Sequence, residues 1–232
     1  MNVQLFKGTE LSCSYLPDIF SQNLVLHPLE TLDPKKYELF LLNGFRRSGD
    51  MVYMPECPNC KACKAIRLAI SDFKLNRNQK RIFKKNQDIK IKLNEQDLTE
   101  EQFDLYQRYT KIRHQEGGMA ESSFEATEQF FKATWGQVRF IEFRLAGKLV
   151  AMAVTDLMPT ALSAVYTFFD PEYQKRSLGV FGILKQFEIC QQLDLDYLYL
   201  GYWIKNCRKM QYKQDYKPAQ ILNHKVWVTL ET

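Results

Sequence analysis

Residues 176–182 (Arg-Ser-Leu-Gly-Val-Phe-Gly) form the segment whose residue types most directly suggest chemistry. They follow an apolar, aromatic run at 162–169 that ends before Asp170, and they lead into an amphipathic run at 181–193. The pattern predicts a strand, a loop and a helix that begins with little side-chain bulk. Such a helix start offers free backbone N–H groups and the positive end of the helix dipole. The segment therefore predicts a site for a phosphate or another anion. Its candidate residues are Arg176, Ser177 and Gly179.

Three cysteines with the spacing Cys57-x-x-Cys60-x-x-Cys63 form a dense group of thiols. With Cys13 as a fourth ligand, four thiolates would suit zinc or an iron–sulfur cluster. The local pattern supplies only three ligands, whereas structural zinc sites usually combine two separated pairs. The residues leave two interpretations open: a structural metal site, or reduced and partly buried thiols.

Positive charge is concentrated in one segment, although the net charge of the chain is only +5. Residues 61–92 contain eleven Lys or Arg and two acidic residues. Within this segment, residues 76–86 are predicted to form a helix, since spacings of three and four place its cations on one face and leave Ile82 and Phe83 to pack. The cations are Arg77, Lys80, Arg81, Lys84 and Lys85. The face indicates an anionic partner, or alternatively a solvated surface.

The composition is that of a folded protein. The 232 residues, 45% of them hydrophobic, allow one large domain or two small ones with a sizeable core. The apolar runs are far shorter than the roughly 18 residues that a membrane span needs. The first ten residues lack the basic and apolar blocks of a signal peptide. We therefore expect a cytoplasmic protein without a membrane partner, whose six cysteines are reduced thiols or metal ligands.

Local signals also predict most elements of the first half. Asp33-Pro34 marks a helix start and Gly44 its end. Residues 45–50 are predicted to form a polar turn, and short strands are predicted at 51–54, 65–70 and 90–93.

The second half has the predicted order helix, helix, three strands, helix, strand and an aromatic, basic tail with one late strand at 225–230. The three strands are predicted at 138–145, 148–157 and 162–169, and Thr99 with Gln102 forms a capping box before the first helix. This is the order of the acetyltransferase-like acyl-transfer fold.

The predicted fold class is therefore α+β, with an acetyltransferase-like (GNAT-like) mixed sheet flanked by helices. A change in composition near residues 93–97 predicts two domains. The smaller, Cys-containing domain at 1–95 carries the basic helix, and the acyl-transfer domain covers 96–232.

Several blocks, in order from residue 13 to residue 213, resemble the aminoacyl-tRNA–protein transferases of the N-degron pathway. The blocks are CSYLP at 13–17, GFRRSG at 44–49, CPNCKAC at 57–63, YTFFDP at 166–171, RSLG at 176–179, LGYWI at 200–204 and CRKMQYK at 207–213. The short chain is similar to the bacterial branch of this family. The resemblance implies transfer of leucine from leucyl-tRNA to the N-terminal α-amine of proteins that begin with Asp or Glu. Aminoacyl-tRNA is then the co-substrate, and the chemistry requires no cofactor. Because related eukaryotic enzymes carry a cysteine-bearing N-terminal domain implicated in metal or cluster binding, the resemblance adds weight to the metal interpretation.

The residues agree with this chemistry. An α-amine has a pKa of roughly 7.7–8.0 and is partly neutral in the cytoplasm, so it can attack the activated ester without a side-chain nucleophile. Accordingly, the chain has no G-x-S-x-G motif. The reaction needs positioning, help with one proton and a place for the oxyanion. Asp170 is the predicted hydrogen-bond acceptor for the amine, with a cap or turn as its alternative role. Tyr166, Tyr202 and Tyr212 are predicted to bond the ribose or the leaving hydroxyl, with core packing as the alternative.

An acidic N-terminal residue calls for a cation, and the planar fork of arginine matches a carboxylate. Arg46 and Arg47 are the first candidates, with Arg208 and Lys209 as the second. The tRNA must be held by its backbone, because the acceptor stem hides most base edges.

The predicted tRNA contacts fall into two groups. The cations of the basic helix together with Lys205, Arg208, Lys209 and Lys213 are predicted to contact phosphates. Trp203 and Tyr202 are predicted to stack on the 3′ end, at about 1–3 kcal/mol per base.

Two other functions stay open on the residues alone. The strand order and the 176–179 loop are compatible with a coenzyme A-dependent N-acetyltransferase, although Phe181 stands where that motif has its second glycine. The charge and the cysteines are compatible with a non-catalytic module that binds RNA or senses redox state.

Overall fold

The computed structural model describes residues 3–95, 97–113 and 121–231, which form five α-helices and fourteen strands. The helices are α1 (Pro34–Leu42), α2 (Arg77–Lys85), α3 (Glu100–Arg113), α4 (Phe124–Phe131) and α5 (Leu178–Gln192). The strands are β1 (Leu5–Lys7), β2 (Leu11–Ser12), β3 (Phe20–Ser21), β4 (Asn23–Leu26), β5 (Arg46–Ser48), β6 (Met51–Pro55), β7 (Lys64–Ala69), β8 (Ile89–Glu95), β9 (Gln137–Leu145), β10 (Lys148–Leu157), β11 (Ala161–Phe169), β12 (Tyr197–Trp203), β13 (Ala219–Asn223) and β14 (Val226–Thr229). No helix in these ranges has both the length and the apolar character needed to cross a bilayer.

A mixed sheet of eight strands is the centre of the molecule, in the order β14-β13-β7-β12-β11-β10-β9-β8. Its neighbours are antiparallel except for β11 and β12, which are parallel. The predicted α+β class with a mixed sheet flanked by helices is thus confirmed. Strands on both sides of the predicted boundary at residues 95 and 96 contribute to this sheet, and residue 96 lies outside the described residues.

Both faces of this sheet are buried because successive side chains of a strand point in opposite directions. On β10, Met152 and Val154 pack with α3 and α4, whereas Ala151 and Ala153 pack with α2 and α5. Helices therefore cover the two faces as separate layers.

A second sheet, in the order β1-β4-β6-β5, packs with α1 against the large sheet at its central strands β11 and β12. Tyr37 and Phe40 of α1 share a core with Val52 of β6 and with Ala161 and Tyr199 of the large sheet. The N-terminal sheet is thereby fixed next to β11 and β12.

Several local predictions are confirmed. The Asp33 side chain caps α1 by accepting a hydrogen bond from the Lys36 amide at 2.7 Å. Thr99 and Gln102 form the reciprocal bonds of a capping box at α3, at 3.0 and 3.3 Å. α2 places Ile82 in the core, as its spacing predicts.

Two predictions for loop and tail residues are wrong. Residues 46–48, predicted as part of a polar turn, form β5, a strand that pairs with Met51–Tyr53 of β6 in a hairpin. The tail contains the hairpin β13–β14 instead of a single late strand. In both cases tertiary pairing provides hydrogen-bond partners that the local pattern does not reveal.

The side chain of Arg47 joins the two sheets. It is 3% exposed, and its Nε and Nη2 bond both carboxylate oxygens of Asp156 on β10, at 2.8 and 2.6 Å. Its remaining N–H groups donate to carbonyl oxygens. These belong to Gly49, Phe130, Phe131 and Lys132. All five donors of the guanidinium are therefore used within the fold.

Replacing Asp156 by Asn should destabilise the protein at the junction between the two sheets. We expect D156N to lower the free energy of unfolding by about 3–5 kcal/mol, since it leaves a buried guanidinium without its counter-charge. The measurement is equilibrium urea denaturation followed by circular dichroism.

The matched control is Lys61→Ala, which breaks the exposed ion pair between Lys61 and Glu56. It should cost no more than about 1 kcal/mol. Equal effects of the two variants would contradict the assignment of Arg47 as the junction.

Candidate functional site

The large sheet opens between its two parallel strands. β11 and β12 pair only where residues 161–163 face residues 197–199, yet β11 continues to Phe169 and β12 to Trp203. We call the space between residues 164–169 and 200–203 the sheet opening. Backbone groups that face it lack a neighbouring strand and are free to bind side chains or ligands.

Arg46 of β5 occupies the base of the sheet opening. Its Nη2 donates to the carbonyl oxygens of Ala164 and Val165, at 2.9 and 3.4 Å, where the pairing of the two strands has just ended. Its Nε and Nη1 have no hydrogen-bond acceptor among the described residues. The guanidinium is therefore anchored on one side and available on the other.

Gly201 on β12 makes room for this guanidinium. A Cβ at position 201 would lie 1.2 Å from Nη1 of Arg46, and the φ angle of +82° is one that L side chains rarely adopt. The register with β7 shifts at the same point, between Tyr199 and Gly201. This bulge and the missing side chain together allow Arg46 to enter the opening.

Tyr202 and Lys213 form the wall next to Arg46. The hydroxyl of Tyr202 donates to the Gly44 carbonyl at 2.8 Å, and its ring centroid lies 6.0 Å from Cζ of Arg46. Nζ of Lys213 donates to the Tyr202 carbonyl at 2.6 Å, and the Lys213 residue is only 6% exposed. Burial, followed by the nearby charge of Arg46, lowers the pKa of Lys213 to about 7.

No carboxylate balances these two basic side chains within the described part of the chain. The groups whose charge acts on Lys213 are Arg46, Cys207 and Cys63. In the described ranges, the hydrogen-bond partners of Arg46 are two backbone carbonyls, and its guanidinium also lies near the Tyr202 ring and Gly201. Because buried charges are normally paired, this arrangement is suited to an anion supplied from outside.

Tyrosines surround the sheet opening. Tyr15 and Tyr212 are each 44% exposed, and their hydroxyl groups lie within reach of the charge of Arg46. The hydroxyl of Tyr166 on β11 is buried without a hydrogen-bond partner in the described ranges, and burial raises its pKa far above the ordinary value. Tyr15 escaped the sequence prediction of site residues. Its only signal was its position inside the first resembling block.

Two predicted site residues lie instead in the core. Arg47 has no donor left for a substrate, as its bonds to Asp156 and four carbonyls show. Trp203 is buried in the core beside α5, where it cannot stack on a base. Tyr202 borders the site with its ring, but its hydroxyl is held by Gly44.

Asp170 takes the capping role that was its alternative. One carboxylate oxygen accepts the Glu172 amide at 3.1 Å and caps the 3₁₀ helix Pro171–Arg176. The other oxygen faces Nζ of Lys148 at 3.1 Å and Nη2 of Arg108 at 3.5 Å.

Residues 176–179, predicted to bind an anion, make contacts within the protein. Both Nη atoms of Arg176 bond the carboxylate of Asp88 at 2.8 Å. Ser177 adopts a left-handed conformation without a side-chain cap, and Phe169 lies 3.3 Å from the position of a Cβ on Gly179. Arg176, the predicted cation of this loop, is therefore already paired.

Exposed basic residues lie on α2 and in the tail. We call the following residues the basic band: Arg77, Lys80, Arg81, Lys84, Lys85, Lys205, Arg208 and Lys209. Side chains at the start of α2 reach the carbonyl of Asp215 in the tail, and Lys85 at its end reaches the Lys175 carbonyl. α2 thus connects the tail to the turn that follows β11. Lys213 does not belong to the band, because it is buried.

The predicted metal site is not confirmed. In the described ranges no group of three or more His, Cys, Asp or Glu side chains could hold an ion. The Cys57 thiol contacts the Gln22 carbonyl at 3.8 Å. Burial, followed by the neighbouring Cys57 thiol, raises the pKa of Cys63 to about 12, and Cys13 and Cys60 act on it in the same direction. Cys13 and Cys60 are half-buried free thiols.

Adding one methyl group at Gly201 tests the geometry of the sheet opening. Gly201→Ala should destabilise the protein more than Gly147→Ala, a matched control with φ of +89° and no atom within 4 Å of its Cβ. Gly147→Ala should be destabilised only by the left-handed backbone conformation, by about 1–2 kcal/mol. Urea denaturation gives both values.

Removing the clashing side chain should rescue Gly201→Ala. We expect the double variant Gly201→Ala/Arg46→Ala to be more stable than the sum of the single effects by about 0.5–3 kcal/mol, as for residues in contact. Strict additivity would show that Arg46 does not lie over Gly201.

Comparison with known proteins identifies relatives along most of the chain. The family model described as "Arginine-tRNA-protein transferase, N terminus" matches residues 11–81, and the one described as "Arginine-tRNA-protein transferase, C terminus" matches residues 101–223. The curated "Aspartate/glutamate leucyltransferase" of Pseudomonas fluorescens strain Pf0-1 is 48% identical over 219 residues, covering 94% of this chain and 93% of that protein. The protein of the same name from Pseudomonas aeruginosa strain LESB58 is 44% identical over 218 residues, with the same coverage.

Similar solved structures are more distant. L-PGS from Bacillus licheniformis matches with a TM-score of 0.49 at 13% identity, covering 73% of this chain and 59% of that chain. So distant a likeness decides neither the fold nor the function. The two family models and the identity to the leucyltransferases do decide the family. This chain belongs to the aminoacyl-tRNA–protein transferase family, as its sequence blocks predicted.

Proposed function

We propose that this protein transfers leucine from leucyl-tRNA to the N-terminal α-amine of proteins that begin with Asp or Glu. The observation that carries the proposal is the Arg46 guanidinium in the sheet opening, which has no carboxylate partner in the described ranges, in a chain 48% identical to a curated aspartate/glutamate leucyltransferase. Attachment of leucine would mark such proteins for degradation by the N-end rule pathway. The place of action would be the cytoplasm, where aminoacyl-tRNA is found.

The reaction needs positioning more than it needs a nucleophile. The α-ammonium first loses one proton to solvent. The neutral amine then forms a bond to the ester carbon, and the carbonyl oxygen becomes an oxyanion. When the carbonyl re-forms, the bond between the ester carbon and the ribose oxygen breaks, and that oxygen leaves with one proton from the attacking nitrogen. Holding the amine and the ester together supplies most of the rate enhancement in such a step.

Arg46 is the residue that we assign to the acceptor side chain. Its Nε and Nη1 are available, and the bonds to Ala164 and Val165 hold it in a fixed orientation. An arginine fork gives a carboxylate two charge-assisted hydrogen bonds, which neither an amide nor an alkyl side chain can accept equally well. The free donors of Arg46 thus support recognition of Asp and Glu. Arg47, by contrast, is assigned to the fold.

The exposed tyrosines are the residues that we assign to the 3′ end of the tRNA. Tyr15 and Tyr212 expose ring surface near Arg46, which suits stacking on unpaired bases. The unpartnered hydroxyl of Tyr166 is our candidate hydrogen-bond donor to the ribose or to the leaving oxygen. In this proposal Tyr202 is a wall residue and Asp170 a cap.

The exposed basic band is assigned to the tRNA backbone. α2 contacts the tail at Asp215 and the turn after β11 at Lys175, and its cations are exposed, as are Lys205, Arg208 and Lys209. Phosphate contacts of this kind fix the position of the RNA without reading its sequence.

The order of the central elements supports an acetyltransferase-like acyl-transfer fold for the second half of the chain. β9, β10 and β11 are followed by α5 and then by the parallel strand β12. Coenzyme A as acyl donor is not favoured, because Arg176 is paired with Asp88 instead of standing free at the start of α5.

The activity is tested with radiolabelled leucyl-tRNA and three peptides that begin with Asp, Glu or Ala. We expect label in the Asp and Glu peptides and none in the Ala peptide. Charged tRNAs for other amino acids test the choice of leucine. The absence of acid-dependent label, with enzyme that still binds tRNA, would refute the proposal.

Arg46→Ala should weaken use of the acceptor and spare tRNA binding. We expect kcat/KM for the Asp and Glu peptides to fall about 10- to 150-fold, the equivalent of hydrogen bonds to a charged group worth about 1.5–3 kcal/mol. Affinity for uncharged tRNA, measured by filter binding, should stay within about twofold. An equal loss of tRNA affinity would assign Arg46 to a phosphate.

The double variant Lys80→Gln/Lys84→Gln on α2 should do the reverse. It should weaken tRNA binding and reduce the slope of log affinity against log salt by about 1.5, as expected for two lost phosphate contacts. Lys35→Gln on α1 is the control, since Lys35 is exposed and lies outside the basic band. An unchanged salt slope would exclude α2 from the RNA interface.

A further inference from the structure

Lys213 is a buried basic group that the proposed reaction does not use. Its Nζ is held by the Tyr202 carbonyl at 2.6 Å and lies 3.5 Å from Sδ of Met210. A lysine in such surroundings is usually either paired with an acid or exposed at its tip. Lys213 is neither, because within the described ranges it has no acidic partner and is 6% exposed.

The charge of Lys213 depends on what occupies the sheet opening. Burial and the positive charge of Arg46 both oppose protonation, so a pKa of about 7 leaves Lys213 largely neutral at pH 8. A carboxylate bound to Arg46 would offset that repulsion and attract a proton to Nζ. A neutral side chain at the same place would do neither.

We propose that the acidic side chain of the acceptor binds Arg46 together with one proton that Lys213 takes up, so that the site acquires its second cation only when a carboxylate arrives. This inference rests on the proposed function and names the residue that sharpens its specificity. Lys213 is then a specificity-determining residue that need not touch the reacting amine. The proton comes from solvent and returns there when the product leaves.

Coupling between carboxylate binding and protonation of Lys213 makes the site discriminate Asp and Glu from Asn and Gln more strongly than Arg46 does alone. Asp and Glu gain two cationic neighbours, whereas Asn and Gln meet one cation and a neutral amine. Each unit by which the bound carboxylate raises the pKa of Lys213 is worth 1.36 kcal/mol of differential binding, a tenfold preference.

The other groups that face Lys213 must be excluded as the site of proton uptake. They are Arg46 from β5, Cys63 before β7, Cys207 after β12, and Met210 and Tyr212 from the tail. Burial keeps the pKa of Cys63 at about 12, so that thiol stays neutral between pH 6 and pH 9. Cys207→Ser controls for the second thiol.

The test compares two peptides that differ only in an N-terminal Asp or Asn. The Asp carboxylate also raises the pKa of its own α-amine, so each uptake is compared with that of Lys213→Met, which keeps the contribution of the amine and lacks that of Lys213. Binding to the full-length protein with uncharged tRNA is measured by titration calorimetry at pH 8, in two buffers of different ionisation enthalpy. We expect the excess uptake of the Asp peptide over the Asn peptide to be close to one proton larger for the wild-type protein than for Lys213→Met.

The pH profile has a defined sign. Because Lys213 is neutral above about pH 7 in the free protein and carries a proton in the complex, the Asp-to-Asn affinity ratio should fall as the pH rises from 7 to 9. The expected fall is about tenfold per pH unit until the pKa of the complex is reached.

Two variants separate charge from structure. Lys213→Arg keeps a permanent cation, so its affinity ratio should stay high and lose its pH dependence. Lys213→Met removes the cation, so its ratio should be low and keep only the pH dependence that the α-amines of the two peptides contribute. An excess of proton uptake by the Asp peptide that is no larger for the wild-type protein than for Lys213→Met would overturn the inference. If that protein still leucylates the Asp peptide, only the inference falls; if it leucylates neither acidic peptide, the proposed function falls as well.

Discussion

The ion pair between Arg47 and Asp156 is the constraint on which the site depends. Both carboxylate oxygens of Asp156 and four backbone carbonyls bind this guanidinium. These bonds fix the position of β5 relative to β10 and to the end of α4. Neighbouring side chains on a strand point in opposite directions. With Arg47 directed into the junction between the sheets, Arg46 is necessarily directed the other way, into the sheet opening. A structural arginine thus orients the candidate functional one.

The separation of β11 from β12 turns this orientation into a binding site. After three paired positions the strands diverge, and the carbonyls of Ala164 and Val165 accept Arg46 in place of a neighbouring strand. Gly201 leaves the space that the guanidinium fills. The wall contributes Lys213, a second basic group that has no acid beside it in the described part of the chain. An opening of this kind suits a substrate that carries its own negative charge, which is how an acidic N-terminal residue differs from the others.

The sequence predicted the elements well wherever the local signal and the tertiary environment agree. The capped start of α1, the capping box of α3, the three strands β9 to β11 and the basic face of α2 were all legible as spacing and turn residues. It failed for residues 46–48, where two arginines and a serine look like a turn and form a strand. Arg46 and Lys213 were both among the candidates, but as members of larger sets. Trp203 and Arg47 were assigned to substrates because burial cannot be read from residue type alone.

The sequence by itself determined the family and the class of chemistry, because ordered blocks of residue types persist along the chain whatever their positions in space. It also determined that a basic surface exists, since periodicity alone puts cations on one helix face. Only the tertiary structure decided which arginine faces the substrate, since that follows from a partner 109 residues away in the chain. It alone decided that Lys213 is buried beside Arg46 instead of on the phosphate-binding surface. The physical reason is that charge is a property of a residue, whereas the free energy of that charge is a property of its surroundings.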